Sequence, residues 1–558
     1  MPTVSTVMAQ TLAELGARRL FGLPGGEVLD LIEATRRAGL RFVLTRRETT
    51  ASFMADAAGQ MERQPGICVA TLGPGAINMV LGVANAFLDR SPAIAITATL
   101  PLSSTRYATH QNVDLNALYA PVTKASWTLD GRNTAATIRR AWRLALEPRP
   151  GPVHLALPGD IAGKDDEQTE DPAQIDISVP GPPPPSARDI ERVAAELQAA
   201  RRPVVILGLD LAPYAPSAAL PAFVEKLGVP VFVAPKAKGA LPEDHQLFFG
   251  VCAGVAADHV IVDFFRRADV LLGIGYDPVE SNRTWHRSMK LVSIGPVSIC
   301  SGDYRPHAEC VGEVEATLAA LCDRSFGPFE WTREELAGLR AEMARTLRPA
   351  PDPPAHGAGS AGDGASAEIG RQGVSPYELT RRLRALFPRD TVVTTDVGAV
   401  KFVTSQVFTT LEPMTFLQSN GLSSMGFAFP AAMAARMVHP RRPVLCTVGD
   451  GGFGMSLAEV ETCVREGLAF VTVVYNDSRL SLIQVIQQNK GLPLYGVEYD
   501  RVDFAAAARA LGAEGLRAGT LAEVASAVEQ AMSAGRLTVV DVQVDPTEYL
   551  SHTKPCAL

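Results

Sequence analysis

Asp450 stands among glycines in Gly449-Asp450-Gly451-Gly452, directly after the apolar run Pro443–Val448. Glycines at a strand end let backbone N–H groups approach a phosphate closely. A carboxylate between those glycines would repel the phosphate unless a divalent cation lay between them. A second set of oxygen ligands should then end a neighbouring strand. Asn476-Asp477 does so in VTVVYND, 477 − 450 = 27 positions after Asp450. Two strand-end carboxylates on one sheet edge suit the oxygen-only octahedral shell of Mg²⁺. Read as spacing alone, Gly449–Gly454 also fits the GxGxxG dinucleotide fingerprint, which makes a nicotinamide-dependent oxidoreductase the rival. The repulsion at Asp450 argues against that rival.

The elements that must hold these residues alternate helix and strand throughout. Short β-branched runs bounded by Gly or Pro (Phe42–Thr45, Ile67–Leu72, Ala93–Ala98, Pro203–Leu207, Val270–Ile274, Thr391–Thr394, Val444–Val448 and Phe470–Tyr475) read as strands buried on both faces. Amphipathic helices are expected at Ala9–Leu15, Arg188–Ala199 and Ala458–Arg465. Ser375-Pro376-Tyr377-Glu378 reads as an N-cap, a first-turn proline and a capping-box acid.

Two stretches break the pattern. Asp165–Ser186 is acidic and ends in four prolines, a stiff spacer, and Arg348–Gly373 is a Pro/Gly/Ala/Ser-rich linker. They divide the chain at 1–164, 187–347 and 374–558, predicting an α/β protein of three doubly wound parallel-sheet domains. An echo links the outer two. Met61 to Gly73 and Met437 to Gly449 are both 12 positions apart (73 − 61 and 449 − 437), each spanning a break, a buried strand and a Gly-rich turn.

With those motifs in place the chain resembles the thiamine-diphosphate (ThDP) enzymes over nearly its whole length, and catabolic acetolactate synthases most. The resemblance lies in RRETTASFMADAAG, THQNVDLNALYAPVTK, IGYDPVES, SNGLSSMGFAFPAA, GDGGFGMSLAEVETC, YNDS and the tail Lys554–Leu558. It implies a pyrimidine-binding first domain, a structural central domain and a third domain for diphosphate and metal. Glu48 would bond the pyrimidine N1′ and drive the proton shift that activates the cofactor, whereas alone an acid after Arg46-Arg47 reads as a solvated ion pair. Met425 would wedge beneath the two rings, in place of an ordinary core methionine. The Ser423 carbonyl would hold the 4′-amino group. Pro24, Gly25, Asn78 and Gln111 would complete the pyrimidine side. Val397, Gly398, Gly451 and Gly452 would hold the diphosphate, and Asp450, Asp477 and Arg479 the Mg²⁺. His110 and Gln111 would serve catalysis, the pair fitting a carboligase better than the His-His pair of related decarboxylases; alone, His110 reads as a structural histidine.

The expected activity is decarboxylation of a 2-keto acid, pyruvate foremost, with transfer of the remaining unit to a second carbonyl. The alternatives are another ThDP enzyme, resembling carboxyethylarginine synthase or a 2-keto acid decarboxylase, and an inactive cofactor-binding protein. The flavin-free look of IGYDPVES argues against FAD. Three positions depart from the acetolactate synthase pattern: Glu27 where Lys is usual, Ile486 where Gln is usual, and Val397-Gly398-Ala399-Val400 without the polar pair after its glycine.

Composition bounds the partners. With 52 Lys and Arg against 60 Asp and Glu, the 558 residues carry a net charge of −8, and no basic field for nucleic acid exists. No apolar run reaches the ~18 residues of a membrane span, and the N-terminus lacks a signal peptide's apolar core. The 8 cysteines form no CxxC pair, so buried free thiols in a reducing cytoplasm are expected. The cofactor's two binding domains are expected to meet across subunits of a homodimer or homotetramer.

Overall fold

The computed structural model describes residues 1–211, 218–252, 254–280, 289–302, 304–348 and 373–552. It contains three six-stranded sheets, all parallel. The first runs Arg41–Leu44, Arg19–Leu23, Gly66–Ala70, Ala93–Thr99, Pro152–Pro158, Ala125–Thr128 across its width. The third runs Phe416–Gln418, Val392–Thr395, Val444–Gly449, Val471–Asn476, Thr538–Gln543, Glu514–Ala518. Numbered within each sheet, both orders are 2-1-3-4-6-5, and the echoed segments supply the third strand of each. The middle sheet differs, with order 6-5-4-1-2-3. In the outer sheets chain order reverses between the first and third strands, and crevices beyond the carboxyl ends at such a point are where α/β sheets bind ligands.

Small residues allow the outer units to pack closely. Helix Glu48–Glu62 brings Ala51, Ala55 and Ala58 into one core with Ala431, Ala432 and Ala435 of helix Ala428–Val438. Phe53 meets Phe427 edge to face at 5.6 Å. Buried charges pin all three units. Lys236 of the middle unit donates to Gln60 (2.7 Å) and Asp89 (3.2 Å) of the first and to the Gln418 carbonyl (3.3 Å) of the third. Asp277 takes both Arg90 (2.9 Å) and Arg149 (3.0 Å).

Several expectations need correction. The first helix is Val4–Glu14. The helix expected at Ala458 is preceded by another that starts at Asp450 itself, so Asp450–Ser456 and Glu459–Arg465 are separate elements. Ser375 caps helix Pro376–Leu386 by accepting from the Glu378 N–H (3.1 Å), but the Glu378 carboxylate turns to Arg381 instead of closing the box. The acidic spacer is docked against the body, with Asp166 buried on the Thr134 hydroxyl (2.6 Å) and the Pro183 carbonyl accepting from Glu313 (2.9 Å). Of the cysteines, Cys68, Cys252, Cys310, Cys446 and Cys463 are buried free thiols, but Cys300 is exposed and Cys322 half-buried. Cys556, the tail Lys554–Leu558, Ser281 and residues 349–372 of the linker lie outside the described residues.

Candidate active site

The carboxyl edge of the third sheet carries most of the expected residues. Strands Val444–Gly449 and Val471–Asn476 are neighbours, with Gly449 opposite Tyr475 in register, so Asp450 and Asp477 leave the same edge side by side. Asp450 Oδ2 accepts from the Ser478 N–H (2.6 Å), and Oδ1 from the Gly451 N–H (2.7 Å). Asp477 accepts from the Ser481 hydroxyl (2.5 Å) and the Arg479 N–H (3.2 Å). Burial pushes both carboxyls above their ordinary range, and the charge of Asp450 pushes Asp477 further. Two acids held this way are stabilised by a cation between them.

A residue the sequence did not mark also reaches Asp450. The Tyr499 hydroxyl donates to Asp450 Oδ1 (2.7 Å) and lies 3.4 Å from the Arg479 carbonyl oxygen. Both oxygens thus meet at the Tyr499 hydroxyl. Among the described residues no three His, Cys, Asp or Glu side chains gather as a metal cluster. The two neighbouring carboxylates and the Arg479 backbone oxygen are hard oxygen donors of the kind Mg²⁺ takes. Of Arg479 it is the carbonyl that meets the Tyr499 hydroxyl; its guanidinium turns to Gln484 and Glu498.

Beside Asp450 and Asp477 lies a cleft of about 190 Å³ lined by Val397, Gly398, Ser423, Met425, Asp450, Gly451, Gly452, Asp477 and Arg479. Gly398 has φ +128° at the start of helix Ala399–Val407, a backbone conformation that favours glycine, and nothing lies within 4 Å of where a β-carbon would be. Gly452 is required for a different reason. A β-carbon there would lie 2.1 Å from Asp396 Oδ2. Asp396 is fully buried, its carboxyl pushed up to about 6 by burial although it accepts from the N–H groups of Val397 (2.9 Å) and Gly426 (2.9 Å). Asp396 thus ties three turns of the cleft together. It stands at a strand end before Val397-Gly398, a signal of the same kind as Asp450. Ser423 has φ +55°, held by its own hydroxyl on the Asn420 carbonyl (2.8 Å). Met425 reaches across to Gly451, its Cε 3.2 Å from where a β-carbon would be.

The first sheet carries the other group on its own carboxyl edge. Glu48 begins helix Glu48–Glu62 and is only 6% exposed, so it is no solvated ion pair; Arg46 pairs with Glu461 instead. Its Oε2 accepts from the Asn78 amide at 3.2 Å. Gly25 lies tight on Thr71, where a β-carbon would be 2.4 Å from Oγ1, and Pro24 beside it is exposed. Gln111, at φ +56°, packs on Gly73 and lines a separate cavity of about 260 Å³. His110 is exposed beside it. The cleft around Asp450 is lined by residues between 397 and 549 alone, so the chain does not bring Glu48, Asn78 or Gln111 into it. Ile486 sits exposed on helix Ser481–Asn489, one turn beyond the cleft residue Ile483.

Comparison with known proteins agrees with this division. Three protein-family models match in order: the thiamine pyrophosphate enzyme N-terminal TPP binding domain at residues 2–118, the central domain at 190–321 and the C-terminal TPP binding domain at 396–542. Acetolactate synthase of Bacillus subtilis is 27% identical over 98% of this chain and 94% of its own length. The catabolic acetolactate synthase of Raoultella terrigena is 27% identical over 97% and 94%. A probable 2-ketoarginine decarboxylase of Pseudomonas aeruginosa is 29% identical over 91% and 88%. Matched from its first sheet to its last, the chain belongs to the thiamine pyrophosphate enzymes, most like acetolactate synthase.

Proposed function

We propose that the protein is a ThDP- and Mg²⁺-dependent carboligase that decarboxylates a 2-keto acid, of which pyruvate is the simplest, and transfers the remaining unit to a second carbonyl compound. The observation that carries this reading is the pair of carboxylates, Asp450 and Asp477, leaving neighbouring strand ends side by side in a family-matched cleft. In this reading those two and the Arg479 carbonyl hold Mg²⁺, and Val397, Gly398, Gly451 and Gly452 hold the diphosphate. The Ser423 carbonyl takes the 4′-amino group and Met425 enforces the bend between the rings. From a partner subunit, Pro24, Gly25 and Asn78 seat the pyrimidine, and Glu48 passes a proton to and from its nitrogen. Gln111 and His110 face the substrate. ThDP supplies a nucleophilic carbon for the keto group and a sink for the electrons released as CO₂ leaves.

A second outcome, protonation in place of transfer, is supported by the relative named as a 2-ketoarginine decarboxylase and by Glu27 and Ile486. Mass spectrometry of products from a panel of 2-keto acids with labelled acceptors separates the two: a carbon–carbon bonded product supports transfer, an aldehyde alone supports the decarboxylase. The metal assignment has its own check. Asp450→Ala should abolish Mg²⁺-dependent retention of ThDP, because the diphosphate would lose its bridging cation. Calorimetry showing the same ThDP affinity in EDTA would argue for a metal-free site.

A further inference from the structure

Glu27 is a carboxylate that the cofactor-binding reading leaves without a task. It lies half-buried in the single turn Gly26–Val28, at the carboxyl end of strand Arg19–Leu23. Its Oε2 accepts from the Thr71 hydroxyl at 2.7 Å. Thr71 also leads to Glu48. A β-carbon on Gly75 would lie 2.9 Å from Thr71 Cγ2 and 3.1 Å from Glu48 Oε1, so both side chains border one spot. Glu27 and Glu48 therefore flank Thr71 on the same sheet edge. Among the described residues the side-chain hydrogen bond to Glu27 comes from a neutral hydroxyl, that of Thr71, and not from Lys or Arg. A small substrate whose only charge is a carboxylate would meet an uncompensated second negative charge there.

We propose that Glu27 selects a reactant bearing a cationic head group, a guanidinium or a primary ammonium. The Thr71 hydroxyl fixes one carboxylate oxygen, and the other accepts a charge-assisted hydrogen bond from the reactant. This rests on the reading of the site as a decarboxylating ThDP site. The cationic group belongs either to the donor, as a 2-keto acid side chain in place of pyruvate's methyl, or to the acceptor.

Two substrate arms distinguish these sources in the Mg²⁺- and ThDP-loaded enzyme. The first compares CO₂ release from 2-keto-5-guanidinopentanoate with that from neutral 2-ketohexanoate. The second supplies pyruvate as donor and compares 4-guanidinobutanal with pentanal as acceptor. In one arm the cationic compound should be preferred by about 10-fold or more in kcat/KM, the effect of one charge-assisted hydrogen bond. Glu27→Gln keeps an oxygen for Thr71 but removes the charge. It should raise KM for the cationic compound by about 10- to 100-fold, leaving its kcat, the neutral compound's KM and ThDP affinity unchanged. CO₂ release with no preference for charge in either arm overturns the assignment while leaving the decarboxylase reading intact. Equal losses for charged and neutral substrates in Glu27→Gln overturn it as well, since they mark a structural role. No CO₂ from any 2-keto acid at full cofactor loading overturns the decarboxylase reading, and this assignment with it.

Discussion

Glu48 is buried with the Asn78 amide on one oxygen and the Gly75 turn against the other, a setting that leaves little room for solvent. A carboxyl so placed can exchange a proton with a ring nitrogen, which an amide of the same shape cannot. Glu48→Gln should therefore retain ThDP and lose turnover by about 10²- to 10⁴-fold, the usual range for a positioned proton donor. Steady-state turnover measured beside cofactor stoichiometry checks it; near-wild-type turnover at unchanged loading would remove Glu48 from the mechanism. At this scale Asp450, Asp477 and the glycines were legible because each sits beside its strand in sequence, and a strand end fixes where a side chain goes. Tyr499 was not, since its hydroxyl meets Asp450 from 499 − 450 = 49 positions away through a loop with no periodicity. The bond from Thr71 to Glu27 was hidden for the same reason, although the odd charge at Glu27 was visible.

Strands and helices were largely legible because buried β-branched runs and Gly or Pro boundaries are local signals. What the pattern could not carry is how elements dock. Glu459, for example, accepts the Arg46 and Arg47 N–H groups (3.0 and 3.1 Å), so the start of helix Glu459–Arg465 is tied to the first unit, and no local signal announces that. The turn Leu209–Leu211 after strand Pro203–Leu207 shows the same kind of docking with an energetic consequence. Asp210 there is buried, which pushes its carboxyl up to about 7; the charge of Asp277 adds to this, and Arg149 and Arg90 oppose it. Between the ordinary carboxylate value and about 7 the folded chain binds a proton that the unfolded chain has released. Stability from this group is thus complete below the ordinary value and is lost as pH rises through about 7. Asp210→Asn, neutral at every pH, should be more stable than wild type at pH 8 by on the order of a few kcal/mol and gain nothing at low pH. Urea midpoints at pH 5 and pH 8 decide this, and parallel wild-type and variant curves would mean the two arginines already compensate the charge.

The two outer units share one strand order yet present their functional residues to different surroundings. Within the chain they meet through helices Glu48–Glu62 and Ala428–Val438, a contact that leaves the Asp450 cleft without any residue of the first unit. Exposed apolar side chains stand near both groups: Ile77 and Leu81 on helix Pro74–Leu88, which carries Asn78, Met455 on helix Asp450–Ser456, and Ile483 in the Asp450 cleft. A site that uses Glu48 as well as Asp450 would then draw Glu48 from another copy, since the Asp450 cleft holds no residue of its own chain's first unit. We therefore expect a homodimer at least, with each site built from the first unit of one copy and the third unit of its partner. Complementation tests this without assuming the number of subunits. Glu48→Gln chains and Asp450→Ala chains, each inactive alone, are mixed and allowed to exchange. In a mixed dimer one site then receives both mutations and the other receives neither. Random pairing gives about half mixed dimers by mass action, each with one intact site out of two, so about a quarter of wild-type activity should return. If native mass spectrometry shows exchange and activity stays at the level of the separate mutants, both half-sites serve a cofactor within one chain, and the units must rearrange to reach it.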